Sequence, residues 1–228
     1  MKKVWFTALL AWIVASVLAC GLYPVTLFDP CARYAPMADA FARGDFYYAF
    51  HPRFGVLFSV LSGVISLLAG LEGIYAVQVA AYFLLALAAV VMFFFARRLS
   101  GDESVAWWTF ALTFLAPDFF RYALDGLREP GKCLVFSLLG YALVSHSSWP
   151  FAIALVLYIA SFTYGFAASS ILLALWCGWF LVRRERRMLP LPIFGWMLGT
   201  AAVTVCTHAY TGHWLPAPQL ISQLGAWL

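Results

Sequence analysis

Apolar stretches of near-spanning length recur along the whole chain, and they constrain it to a bundle of membrane helices. They are Val4–Phe28, Ile74–Ala96, Ser104–Phe120, Lys132–Ser145, Pro150–Phe162, Gly165–Val182 and Ile193–His208, with a less apolar stretch at Phe54–Gly70. A bilayer core needs about 20 apolar residues per crossing helix, and only helices or closed barrels satisfy the backbone there. The in-out alternation of barrel strands is absent, which leaves helices. The residues are 64% hydrophobic and 11% charged, against about 45–50% and about 25% in soluble domains. The net charge of +4 sits at segment ends, where cations orient helices or meet lipid head groups, so nucleic acid is not an expected partner. The five cysteines lack metal-ligand spacing, and no metal or other cofactor is expected to be required.

The cations arbitrate topology. Lys2 and Lys3 place the N-terminus in the cytoplasm, and the apolar run behind them, longer than the about 7–15 residues of a signal-peptide core, reads as an uncleaved anchor. If Phe54–Gly70 does not cross, Arg97-Arg98 and Arg183-Arg184-Glu185-Arg186-Arg187 also fall inside. If it crosses, both clusters fall outside, against the positive-inside rule. The expected fold is therefore an all-α polytopic membrane protein with about seven transmembrane helices. It forms a single module over 1–228, without a separate soluble domain. The outer segments are 29–73, carrying amphipathic interfacial helices, then 117–131 and 208–228. In the first, Tyr34, Met37, Ala38, Phe41 and Ala42 recur at helical spacing up to Gly44, with Pro36 in the first turn.

The charges that remain collect on the outer face, and the densest group follows the first span: Asp29-Pro30-Cys31-Ala32-Arg33-Tyr34-Ala35, then Arg43-Gly44-Asp45-Phe46 and His51-Pro52-Arg53. Asp125 and Glu129 stand in the second outer segment, beside Arg121, Arg128 and Lys132. A carboxylate can orient a hydroxyl and accept its proton, and guanidinium groups match phosphate. Each of these groups also has a plain reading, as a helix-end charge, a surface ion pair or a head-group contact.

The order of these residues resembles the GT-C-fold glycosyltransferases, in the branch of lipid A aminoarabinose transferases, protein O-mannosyltransferases and related bacterial sugar transferases. Asp29, Arg33-Tyr34-Ala35, Gly44-Asp45 and His51-Pro52 resemble the first outer loop of that family. Ala96-Arg97-Arg98-Leu99-Ser100-Gly101 resembles its cytoplasmic turn, and Thr163-Tyr164-Gly165-Phe166 its Thr-Lys-Gly-Phe segment. Pro30 stands where the family has a second acid, and Tyr164 where it has lysine.

The resemblance implies a bacterial inner-membrane enzyme. It would move a sugar from a polyprenyl-phosphate donor to a lipid, glycan or protein acceptor at the extracytoplasmic face. Asp29 is then the expected general base, with Asp125 or Glu129 supporting it. Arg33, Tyr34, His51, Arg53, Arg128 and Lys132 are the expected substrate-binding residues, and membrane lipids surround the protein. Tyr47, Tyr48 and Trp214 are candidates for stacking on a sugar, and His208 and His213 for facing the same cavity. The competing reading is a non-catalytic membrane protein, either an assembly partner of a larger transferase or a small transporter. The scarcity of charge within the spans, where Gln78 is the main polar residue, argues against ion coupling.

Overall fold

A computed structural model describes residues 2–25, 27–50, 55–162 and 165–212. It is helical throughout, with no strand among the described residues. The first helix, α1 (Lys2–Leu22), stops before Pro24 and is followed by a π-helical turn, Pro30–Tyr34. Two short helices, α2 (Ala35–Ala42) and α3 (Phe46–Ala49), precede α4 (Val56–Ala69). The central helix α5 (Gly73–Ser100) leads to α6 (Glu103–Phe114) and α7 (Pro117–Leu124). Then come α8 (Glu129–Ser145), α9 (Ser148–Ser161), α10 (Gly165–Val182) and α11 (Pro190–Thr211). Four helical segments are long and apolar enough to cross a membrane: Lys2–Leu22, Gly73–Ser100, Gly165–Val182 and Arg186–Tyr210. The other expected spans are shorter helices. The stretch Ser104–Phe120 is divided, because Pro117 cannot supply an N–H to α6 and instead opens α7 from its first turn.

The centre of the bundle is α5, packed by α1, α6 and α8. Its buried face is built largely of alanine: Ala76, Ala80, Ala81, Ala88 and Ala89 are fully buried. The large side chains of α1, such as Phe6, Val17 and Leu22, point outward. In a soluble protein that arrangement would be inverted. Between helices in lipid, close approach of small residues replaces the transfer of large ones out of water as the source of stability.

A helix stands where the spacing expects one, as α2, but no residue of it is exposed, so it packs into the bundle rather than lying on a surface. Met37 and Ala38 are buried, Pro36 lies in its first turn, and Gly44 (φ 78°) closes it. Sequence alone reads the serines and glycine of Phe54–Gly70 as the mark of an interfacial helix. The structure puts them to another use. Ser59, Ser62, Gly63 and Ser66 all face inward, whereas Leu67 and Leu68 are exposed. A Cβ on Gly63 would lie 2.5 Å from the Phe41 side chain of α2, so the small residues let two helices touch. Gly55 abuts the last residue of α9, Ser161, and Ser66 Oγ donates to the Leu71 carbonyl just ahead of α5.

Candidate functional site

Asp29 and the residues after it are set by the π-helical turn. Pro30 opens the turn without an N–H to satisfy, and Ala35 N–H closes it on the Pro30 carbonyl. Such wide turns are frequent at functional positions. Here the turn brings Arg33 Nη1 onto Asp29 Oδ1 as a close ion pair, with the guanidinium 5.1 Å from the Phe28 ring. The Asp29 side chain stays 44% exposed, so the pair is open to an incoming group.

Tyr34, at the end of the turn, is buried edge-on against Phe58 of α4, with ring centroids 5.4 Å apart. The Arg128 guanidinium stands 6.0 Å from the Tyr34 ring. Burial pushes the Tyr34 phenol above its ordinary range; the charges of Glu129 and Asp29 add to that and those of Arg128 and Arg33 oppose it. Tyr34 is thus the point where the segments 29–73 and 117–131 meet.

The second segment contributes the start of α8. Arg128 donates from Nη1 to the Ser161 carbonyl at 3.1 Å and lies 5.4 Å from the Phe162 ring. Lys132 Nζ lies 5.4 Å from that ring on its own account and 3.7 Å from Glu129 Oε1. Two cations therefore stand over one aromatic ring, whose quadrupole attracts positive charge. Glu129 Oε2 is buried and accepts no hydrogen bond among the described residues. Gly55 holds this corner in place. Its φ of 81° suits glycine, and a Cβ there would lie 2.3 Å from the same Ser161 carbonyl that Arg128 uses.

Asp125 and Glu129 are four residues apart, which would align them on one helical face. The chain breaks that alignment. Asp125 ends α7, Gly126 (φ 69°) turns the backbone, and α8 begins at Glu129. Asp125 is buried and turned to other partners. Its Oδ1 accepts the Tyr23 phenol at 3.1 Å, and its Oδ2 lies 3.8 Å from Arg121 Nε. Donating to Asp125, and lying beside its charge, pushes the Tyr23 phenol up. Gln78 of α5 extends the network, with Nε2 donating to the carbonyls of Tyr23 (3.3 Å) and Leu124 (2.8 Å). The main polar residue within the spans is thus a tie between the ends of α1, α5 and α7.

Among the residues singled out by sequence, Asp29, Arg33, Tyr34, Arg128, Glu129 and Lys132 belong to one cluster, and Asp125 belongs to the neighbouring tie. His51, Arg53, Tyr164, His213 and Trp214 lie outside the described residues. His208 is in the last turn of α11, at the same end of the bundle. Tyr47 stacks on Tyr210 at 4.7 Å, which engages one face of its ring, and Tyr48 is exposed. Sequence reasoning missed Ser161 and Phe162, which seat both cations of α8; the one signal for them is that they directly precede the Thr163-Tyr164-Gly165-Phe166 segment. It also missed Asp39, whose Oδ1 accepts the Gly73 N–H at 2.7 Å and pins α2 to the start of α5. Among the described residues no group of three or more His, Cys, Asp or Glu is placed to hold a metal ion. Compared with family models, with curated proteins and with solved structures, the chain matches none.

Proposed function

We propose that this chain is a membrane glycosyltransferase that moves a sugar from a polyprenyl-phosphate donor to a hydroxyl-bearing lipid, glycan or protein at the extracytoplasmic face. In this reading seven crossings put the Asp29 end outside the cytoplasmic membrane. The observation that carries the proposal is the convergence at one end of the bundle of an accessible carboxylate (Asp29), three cations (Arg33, Arg128, Lys132) and a second carboxylate (Glu129).

The chemistry follows from these groups. The acceptor hydroxyl attacks the anomeric carbon, and the bond from that carbon to the phosphate oxygen breaks. Polyprenyl phosphate leaves with the electron pair, while Asp29 takes the hydroxyl proton. Arg33, Arg128 and Lys132 offset the charge developing on the phosphate. Glu129 supports the site through Lys132, whose Nζ lies 3.7 Å from its Oε1. Tyr34 acts from below, fixing the two segments against each other, and Asp125 positions the end of α1 through Tyr23. His51 and Arg53 complete the substrate-binding set by their place in the first outer segment.

The test is release of polyprenyl phosphate from polyprenyl-phosphate hexoses and pentoses by vesicles containing the purified chain. Release that depends on an added hydroxyl acceptor is expected. Intact donor throughout would contradict the proposal and favour a non-catalytic partner, a role the Asp29–Arg33 pair by itself would equally fit.

A further inference from the structure

The opposite end of the bundle carries a second charged surface, and the reading of Asp29 does not use it. Between α10 and α11 the chain runs Arg183-Arg184-Glu185-Arg186-Arg187. All four arginines are exposed, and none forms an ion pair with a carboxylate among the described residues, Glu185 included. Orienting a membrane helix needs positive charge on one side of it, not a fixed arrangement of guanidinium groups. The backbone that carries these four arginines is nevertheless held in place.

Met188 anchors it. The side chain is buried in the box of Phe151, Trp176 and Phe180, and the Met188 carbonyl accepts from Ser148 Oγ at 3.0 Å and Trp176 Nε1 at 3.5 Å. Backbone hydrogen bonds close the turn, from Arg184 N to the Leu181 carbonyl and from Glu185 N to the Phe180 carbonyl. Arg184 sits at φ 61°, a left-handed position where glycine or asparagine costs least. There it closes α10 in the usual left-handed helix-ending turn and carries its side chain to the surface. Arg183 lies 4.4 Å from the Trp179 ring. Beneath it the exposed face of α10 runs through Ile171, Leu175, Trp179 and Val182. Nothing lies within 4 Å of where a Gly178 side chain would begin, so that apolar face carries a notch.

Exposed guanidinium groups on an anchored turn, next to the exposed apolar strip of α10, match one class of ligand, an anionic phospholipid. Its phosphodiester would meet the arginine fork and its acyl chain the α10 face. We propose that the Arg183–Arg187 turn and the adjoining face of α10 form a binding site for an anionic phospholipid, distinct from the general attraction of a charged membrane surface.

Two pairs of arginines separate the proposal from that general attraction. Arg186→Gln/Arg187→Gln and Arg97→Gln/Arg98→Gln remove equal charge at the same end of the bundle. Phosphatidylglycerol binding to the full chain in neutral detergent is measured by native mass spectrometry, with phosphatidylcholine and inorganic phosphate as comparison and competitor. About fivefold is expected for each arginine removed from a lipid contact. The first pair should therefore weaken phosphatidylglycerol binding by more than tenfold, and the second by less than threefold. Phosphatidylcholine should bind weakly, and inorganic phosphate should not compete. An equal loss in both pairs, no loss in the first, equal binding of phosphatidylcholine, or competition by inorganic phosphate would overturn the proposal. If Arg186→Gln/Arg187→Gln does not accumulate as folded protein, Arg186→Lys/Arg187→Lys keeps the charge and removes the fork. It should still weaken binding at least twofold, and unchanged binding would overturn the proposal.

Discussion

Two aspartates of the same chemistry are put to different uses here, and their surroundings decide which. Asp29 is half-exposed beside Arg33, whereas Asp125 is buried under the Tyr23 phenol. Replacing Asp125 by alanine leaves that phenol without its acceptor, and stability should fall by about 1–3 kcal/mol. Asp125→Asn keeps an acceptor oxygen and should recover most of the loss; thermal unfolding in detergent reads both. Tyr34 gives a pH signature. Its phenol is raised in the fold chiefly by burial, and only its neutral form suits the site. The stability it contributes is complete below its unfolded pKa of about 10 and is lost as pH rises through the higher folded value. Tyr34→Phe should therefore flatten the alkaline decline in unfolding temperature above about pH 10, with little change near neutrality. At this scale the sequence marks Asp29, Arg33, Tyr34, Arg128, Glu129 and Lys132 as chemically notable. It could not separate Asp125 from Glu129, because the separation depends on a backbone reversal at Gly126 rather than on spacing.

Among the elements, α4 shows why composition is a poor guide to which side of a membrane helix faces lipid. Its small residues dilute its hydropathy and suggest a helix half in water. They are instead the contact face, with Gly63 against Phe41 and Ser59 against Met37. In lipid the greasy side faces out and the small side packs, the reverse of the soluble rule. Gly63→Val should therefore destabilise the protein by about 1–3 kcal/mol through overpacking, whereas Leu68→Val on the exposed face should change stability by less than about 0.5 kcal/mol; denaturant or thermal unfolding compares them. The boundaries of α2, with Pro36 at its start and Gly44 past its end, were readable because Pro and Gly act through the local backbone. The break between α6 and α7 was less so, since the apolar run continues across Pro117 and only the missing N–H interrupts it.

For the molecule as a whole, the two ends of the bundle differ in kind. One gathers ion pairs, the buried Asp125 and cations on an aromatic ring; the other exposes Arg97, Arg98 and the arginines of the Arg183–Arg187 turn, without an ion pair among the described residues. The all-helical membrane class was legible because apolar run length is a direct physical requirement of the bilayer. The meeting of the segments 29–73 and 117–131 at Tyr34 was not legible, since it depends on how α2, α4, α8 and α9 pack. The proposed topology predicts that single cysteines at Asp45 and at Arg184 react with a membrane-impermeant thiol reagent from opposite sides of sealed vesicles, and labelling from the same side would contradict it. The central claim is that Asp29 accepts the proton in sugar transfer. Its most direct test is the turnover of a polyprenyl-phosphate sugar by reconstituted wild-type and Asp29→Asn protein, measured on samples of matched folded fraction. The account predicts a loss of about 100-fold or more with an unchanged unfolding temperature; full turnover by the folded Asp29→Asn protein would contradict it.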